Sequence, residues 1–201
     1  LFKFNQKGEV IDHFKSSAES VYGSLSQLYV GGEDEIWVGS NNGYILILDT
    51  LMNVKQSYEI GNENSVNVIF EDSYNNIWFG TRLGVYKFDE TTNTIKDYSY
   101  LYKQYGARGE EIRGIVQIWD GSVIFGSDGA GLLKYDPVKK KHQYYPSNPN
   151  VKGSLTSNNI RHLYIDRTGN LWIPLFGYGV NFHGKYKNKF HSYYINPGGG
   201  D

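Results

Sequence analysis

The hydrophobic and polar positions of this 201-residue chain form one pattern that occurs four times. Each copy has a short apolar run that ends at or near a glycine, then a turn, then a run in which apolar and polar residues alternate. The apolar runs begin at Ile36, Ile77, Val123 and Leu171, so the copies start 41, 46 and 48 residues apart. A repeat of about 40–50 residues is typical of a propeller or a stacked array.

Each full copy contains four strand-like runs. The first is apolar, the second is the repeated core, the third alternates, and the fourth is polar with spaced aromatic residues. Hydrophobicity decreases from the first run to the fourth, as expected for a radial blade whose first strand is innermost. A single blade cannot bury both of its faces, so blades must pack on one another.

The pattern therefore predicts an all-β protein, a partial β-propeller of about four and a half blades. Each full blade is a four-stranded antiparallel sheet. The prediction places two outer strands of a preceding blade, four full blades and an interblade link at residues 1–14, 24–58, 65–98, 112–145, 158–194 and 195–201.

The composition favours strands over helices. The chain has 24 glycines and 18 tyrosines, and its only alanines are Ala18, Ala107 and Ala130. Aromatic and β-branched residues suit pleated sheets, whereas glycine destabilises helices. Hydrophobic residues make up 39% of the chain, which is enough for a substantial core.

Charge and cysteine content exclude several functional classes. The formal net charge is −1 with both signs interspersed, so no nucleic acid is expected as a partner. The absence of cysteine excludes disulfides, thiolate-bound zinc and thiol catalysis. No apolar run approaches the roughly 18 residues of a membrane span, so this segment itself is not expected to contact a membrane.

Both ends of the sequence predict a piece cut from a longer array. The chain begins at Leu1, in the outer half of a unit, and its last residues are similar to the interblade sequence Pro146–Asn150. The expected partners are further propeller blades of the parent chain or a second copy.

Two motifs resemble the two-component regulator propeller repeat. One is the sequence Asp-Arg-Thr-Gly-Asn-Leu-Trp-Ile at 166–173, followed by a Gly-x-Gly-Val segment. The other is Tyr-Tyr-Pro-Ser-Asn-Pro-Asn at 144–150, which leads through Ser-Leu-Thr-Ser-Asn-Asn-Ile at 154–160 into the next first strand. The chain departs from the repeat at Pro174, in place of glycine, and at Ile124, in place of tryptophan.

This resemblance implies a function as well as a fold. Proteins with such repeats combine two seven-bladed periplasmic propellers, an immunoglobulin-like domain, a membrane helix and a cytoplasmic histidine kinase with a response regulator, and they usually sense oligosaccharides. The chain is then expected to be a non-catalytic, periplasmic sensor fragment of a protein anchored in the inner membrane. A protein-interaction scaffold is the alternative, and a glycoside-acting enzyme is less favoured.

The chain contains few signals for catalysis. Its five histidines lack metal-ligand spacing, and its adjacent carboxylates lie in turns, so no catalytic residue, metal or cofactor is predicted. Three tryptophans recur at one blade position, which favours packing between blades over sugar stacking. The fourth, Trp119, lies in a turn where it could be exposed.

The candidate ligand residues lie on one predicted face, where second-to-third strand turns and interblade links meet. Arginine and aromatic side chains there suit sugar hydroxyls, uronic acids and sulfate groups. The long link 99–111 is expected to be a functional loop. The predicted binding residues are Arg82, Tyr105, Arg108, Arg113, Asp128, Arg161, Phe176 and Tyr178.

Overall fold

The computed structural model describes residues 1–14, 21–32, 35–107, 111–187 and 189–193. The predicted interblade link 195–201 and the candidate Arg108 lie outside these residues. The described part confirms the predicted all-β fold, with eighteen strands and one short helix. In the described residues, no helix has the length and apolar character needed to cross a membrane.

The strands form one hairpin and four sheets, in chain order. The outer hairpin consists of β1 (Phe2–Phe4) and β2 (Val10–His13). Blade 1 consists of β3 (Leu25–Val30), β4 (Ile36–Ser40), β5 (Tyr44–Leu48) and β6 (Val54–Glu59). Blade 2 consists of β7 (Val66–Glu71), β8 (Ile77–Thr81), β9 (Gly84–Asp89) and β10 (Thr94–Asp97).

The second half of the chain repeats this organisation. Blade 3 consists of β11 (Glu111–Gln117), β12 (Val123–Asp128), β13 (Gly131–Asp136) and β14 (Lys141–Tyr145). Blade 4 consists of β15 (Tyr164–Ile165), β16 (Leu171–Pro174), β17 (Val180–His183) and β18 (His191–Tyr193). In every blade each strand pairs antiparallel with the next strand of the chain.

Burial is greatest in the middle of each blade. The second strands β4 and β8 are almost wholly buried, whereas the fourth strands β6 and β10 are mostly exposed. The first strand β3 is only half-buried, so the decrease in hydrophobicity along the unit does not translate into a simple decrease in burial. The reason is position, because the first strand is itself an edge of its sheet.

The repeated glycine allows neighbouring blades to approach closely. A Cβ added to Gly39 would lie 2.5 Å from the Val66 Cβ, and one added to Gly80 would lie 2.6 Å from the Ile112 Cγ2. A Cβ on Gly126 would lie 2.9 Å from the Ile160 Cγ2. In each case the glycine lies near the end of a second strand, and the contact is an apolar residue where the next blade begins.

The repeated tryptophan fills the space between two blades. Trp37 of blade 1 contacts Phe88 of blade 2, with ring centroids 5.0 Å apart. Trp78 makes the same contact with Tyr135 of blade 3, at 5.6 Å. These two indoles therefore pack between blades, as the repeat predicts, while Trp172 packs on Phe182 within blade 4 at 4.8 Å.

Aspartate turns join the first and second strands of blades 2 and 4. Asp72 accepts hydrogen bonds from the backbone N–H groups of Tyr74 and Asn76 and from the Trp78 indole, at 2.9, 3.0 and 2.8 Å. Asp166 and Trp172 form the same pair, at 2.8 Å. The motif therefore has a structural role, since one carboxylate holds a turn and fixes the indole.

In its described part, the link after blade 2 is not a simple loop. It contains α1 (Tyr100–Lys103), whose Leu101 and Tyr102 are buried in the cluster formed by blades 2 and 3. The Tyr102 hydroxyl donates to the Phe125 carbonyl at 2.8 Å. The sequence did not predict this helical turn, because four residues are too short for a helical period to be recognised.

Candidate functional site: an arginine cluster at blades 3 and 4

Four of the predicted residues lie together where blade 3 meets blade 4. Arg113 comes from β11, Asp128 ends β12, Arg161 precedes β15, and Phe176 lies in the turn after β16. We call these residues the arginine cluster. Bridges of Asp128 to Asn159 and of Ile160 to Leu175 hold the segments in place.

The two arginines occupy equivalent positions in successive blades. Each follows the apolar residue, Ile112 or Ile160, against which the preceding blade's glycine packs. At this position in β11 the strand pairing shifts register, and the same shift occurs at Ser26 and Asn67 in blades 1 and 2. Such a bulge changes the direction of a side chain.

Asp128 links the two arginines. Its Oδ2 accepts a hydrogen bond from Nη1 of Arg161 at 2.9 Å and lies 3.8 Å from Nε of Arg113. Arg113 also donates from Nη2 to Oε2 of Glu111 at 2.9 Å, and Asn67 of blade 2 donates to Oε1 of the same carboxylate at 3.0 Å. A chain of polar contacts therefore extends from blade 2 to blade 4.

An aromatic ring borders the cluster. The Arg161 guanidinium carbon lies 4.3 Å from the centroid of the Phe176 ring, a cation–π distance. Phe176 is 60% exposed and Tyr178, two residues later, is 50% exposed. A guanidinium with partly exposed N–H groups and two exposed aromatic rings can contact both the polar edges and the apolar faces of a ligand.

Together with Glu111, the cluster is close to electrically neutral, because two arginines lie opposite two carboxylates. Its Arg113 Nε is buried and has no hydrogen-bond acceptor among the described residues. Both carboxylates are engaged by guanidinium groups, so neither is held as a free acid beside an open space. Among the described residues, the arrangement suits hydrogen bonding to hydroxyl or acidic groups better than acid–base chemistry.

The other predicted residues lie elsewhere. Arg82, in the turn after β8, lies beside Glu63, with Nη1 to Oε2 at 3.7 Å. Tyr105 stacks on Tyr144 of the fourth strand β14, with centroids 4.6 Å apart. The structure therefore separates Arg82 and Tyr105 from the arginine cluster.

The sequence did not single out Glu111 and Asn67 as members of this network. Asn67 could have been found by aligning the blades, since it occupies the position of Arg113 and Arg161. The contacts of Glu111 and Asn67 could not have been predicted, because these contacts depend on how closely neighbouring blades pack. In the described residues there is no group of three or more His, Asp or Glu side chains that could hold a metal.

A family comparison matches two segments of the sequence. The model of the two-component regulator propeller matches residues 60–82 and 154–173. Two segments of the chain are thus similar to the two-component regulator propeller repeat. These segments cover the lead-in to blade 2 with its tryptophan strand and the corresponding part of blade 4, so the resemblance seen in the sequence is confirmed there.

Solved extracellular domains of putative hybrid two component systems have the same fold. The chain is similar to the extracellular domain of the putative hybrid two component system BT3049 from B. thetaiotaomicron, with a TM-score of 0.72 and 23% identity over 92% of this chain and 24% of that one. For the corresponding BT4673 domain the TM-score is 0.70 and the identity 19%, over 89% of this chain and 24% of that one. The chain thus spans about a quarter of these proteins' resolved chains.

The same arrangement of blades also occurs in an enzyme. Virginiamycin B lyase from Staphylococcus aureus matches with a TM-score of 0.69 and 15% identity, over 96% of this chain and 62% of that one. Comparison with curated protein sequences gives no match. At these identities the structural likeness defines the fold, and function has to be argued from the site.

Proposed function

We propose that this chain is an extracytoplasmic sensor segment of a two-component signalling protein. The regulator propeller repeats and the likeness to extracellular domains of hybrid two component systems support this proposal. In the proposed protein the segment lies in the periplasm, is not catalytic, and is connected to a membrane-anchored histidine kinase.

We further propose that the segment binds an oligosaccharide at the arginine cluster. The observation that carries this proposal is the Arg161 guanidinium, held by Asp128 and lying over the exposed Phe176 ring. Sugars present hydroxyl or acidic groups at their edges and C–H groups on their faces, and the cluster offers a partner for each. Ligand binding would bridge blades 3 and 4, so occupancy could be transmitted as a movement of one blade against another.

The test is isothermal titration calorimetry with a panel of neutral and acidic oligosaccharides. We expect Arg161→Ala to weaken binding by about tenfold or more, because a charge-assisted hydrogen bond is lost. Arg161→Lys should weaken binding less, since the positive charge remains although the planar guanidinium group is lost. The matched control is Arg167→Ala, which removes an exposed arginine from the turn at the opposite end of the same blade.

Two results would contradict the proposal. One is the absence of binding to every member of the panel, which would favour the protein-interaction alternative. The other is an equal loss of affinity in Arg161→Ala and Arg167→Ala, which would show a nonspecific effect of positive charge.

A further inference from the structure

The contact between blades 3 and 4 departs from the repeat at three linked positions. Ile124 takes the place of the tryptophan that fills the earlier interfaces, and His183 takes the place of its partners Phe88 and Tyr135. Ile118 takes the place of the aspartate that holds the indole in blades 2 and 4. The tryptophan, its aromatic partner and its hydrogen-bond acceptor are thus replaced together.

These replacements leave a cavity of about 60 Å³ between the two blades. Its wall is mainly apolar, and its rim carries Trp119, Lys134 and His183. Trp119 lies over His183 with ring centroids 6.0 Å apart and planes 11° apart. The apolar side chains of the wall are Ile118, Ile124, Leu132, Leu171 and Phe190.

A wider groove of about 740 Å³ shares this rim. It extends along the outer strands and is lined by Lys134, Lys185 and Lys187, with no Asp or Glu among its described lining residues. Lys134 is paired with Asp120, whereas Lys185 and Lys187 form no ion pair within the described part of the chain. The groove is therefore positively charged, unlike the neutral arginine cluster.

The rim combines aromatic surface with hydrogen-bonding groups. Trp119 is 39% exposed and Tyr186 is 86% exposed. Burial lowers the pKa of His183, and the charge of Lys134 lowers it further, so the imidazole is neutral at pH 7. A neutral imidazole can donate one hydrogen bond from one ring nitrogen and accept another at the other nitrogen.

We propose that this pocket, which we call the interblade pocket, binds an acetylated acidic sugar. The acetyl methyl group occupies the apolar cavity, the ring lies against Trp119, and the acidic group faces Lys185 and Lys187. A cavity of about 150 Å³ holds benzene, so one less than half that size suits a group as small as an acetyl. The choice of a sugar as the ligand rests on the proposed function, whereas the existence of the pocket does not depend on that function.

An acidic peptide is the competing occupant, and the cavity argues against it. A leucine or phenylalanine anchor is larger than the cavity, whereas an acetyl group carries one methyl and a carbonyl that can accept from a rim donor. Exposed aromatic side chains beside the mouth provide flat apolar surface for the C–H face of a sugar ring.

Saturation-transfer NMR with matched sugars tests the assignment. N-Acetylneuraminic acid carries both groups, and its 5-hydroxy analogue, ketodeoxynononic acid, lacks only the acetamido group. We expect the acetyl methyl protons to receive the strongest saturation and the analogue to bind about fourfold more weakly, the value for one buried methyl-sized group. Equal affinity of the two sugars, or no binding of either, would overturn the proposal.

Variants test the position of the site. Ile124→Trp restores the repeat residue, fills the cavity and should abolish the preference for the acetylated sugar. Lys185→Gln with Lys187→Gln leaves the cavity intact and should weaken binding of both sugars about equally, by about threefold or more at low salt. Thermal unfolding of each variant establishes that it is folded. If Ile124→Trp does not fold, the double lysine variant still tests the position of the site.

The same titrations separate this inference from the proposed function. Binding that Arg161→Ala abolishes and Ile124→Trp leaves unchanged would overturn the interblade pocket and support the arginine cluster. Binding that responds only to Ile124→Trp and the lysine substitutions would support the pocket and overturn the cluster as the ligand site.

Discussion

At the scale of single residues, the residues of the repeated motif form the contacts between neighbouring blades. Its tryptophan contacts an aromatic residue of the next blade, and its glycine receives an apolar residue of the next blade's first strand. The turn aspartate fixes the indole through a hydrogen bond. The motif recurs because most interfaces between blades use these same contacts, and the interface of blades 3 and 4 is the exception.

The glycine contact yields a stability prediction. Gly80→Ala places a methyl group 2.5 Å from the Val68 Cγ1 and 2.6 Å from the Ile112 Cγ2, so blades 2 and 3 must move apart. We expect a loss of about 1–3 kcal/mol in the free energy of unfolding, measured by urea denaturation. Gly32→Ala is the control, since nothing lies within 4 Å of its added Cβ. Equal stability of the two variants would contradict this account of the repeat.

At the scale of elements, the turns between first and second strands show how a local sequence sets a strand pair. In the turn between β15 and β16, Asp166 accepts hydrogen bonds from the Trp172 indole, the Thr168 hydroxyl and the Asn170 backbone N–H. These bonds, the indole's first, hold the pKa of the Asp166 carboxyl far below its usual range. The ionised carboxylate is therefore part of the folded turn.

This turn predicts a specific dependence on acid. Above about pH 5 the carboxylate is ionised in both the folded and the unfolded chain, so its stabilising contribution is complete. As pH falls below the ordinary value of 3.8, the unfolded chain takes up a proton before the folded one, and the contribution is lost. We expect Asp166→Asn to be less stable than the parent at pH 7, and the difference to shrink on acidification.

Urea denaturation of parent and variant between neutral pH and about pH 2.5 measures this difference. Glu90→Gln serves as the control, because Glu90 is exposed. A gap between parent and Asp166→Asn that stays constant with pH would show that the turn does not depend on the charge.

At the scale of the whole molecule, the described core clusters join each blade to its neighbours in the chain, so the blades form a row. Blades 2 and 3 have a neighbour on both sides and contribute most of the largest core cluster. Among the described residues, blade 4 shares its core cluster with blade 3, and its first strand β15 has only two residues. In such arrays stability is close to a sum of unit and interface contributions, so it varies along the row.

Amide hydrogen exchange should reveal this gradient. We expect β8, β9, β12 and β13 to exchange slowest, and β16, β17 and the outer hairpin to exchange faster, because fewer interfaces must open to expose them. Binding of an oligosaccharide across blades 3 and 4 should slow exchange in blade 4. Uniform protection along the chain would contradict the additive description.

The candidate site was predictable only in part. Arg113, Asp128, Arg161 and Phe176 were predicted from their positions in turns and links, and the structure brings them together. Arg82 and Tyr105 carried the same sequence signal but face Glu63 and Tyr144 instead. Position within a repeat indicates the end of a sheet, whereas the direction of a long side chain depends on its neighbours.

The sequence alone determined the blades. The alternation of apolar and polar residues, the glycine turns and the repeat period are local properties, and they indicate the order of the strands directly. It also determined the type of contact between blades, because the tryptophan and glycine recur in register. The tertiary structure alone decided which arginines share a carboxylate and where a cavity opens. Those features arise from residues far apart in the chain, and their distances are set by how closely two sheets pack.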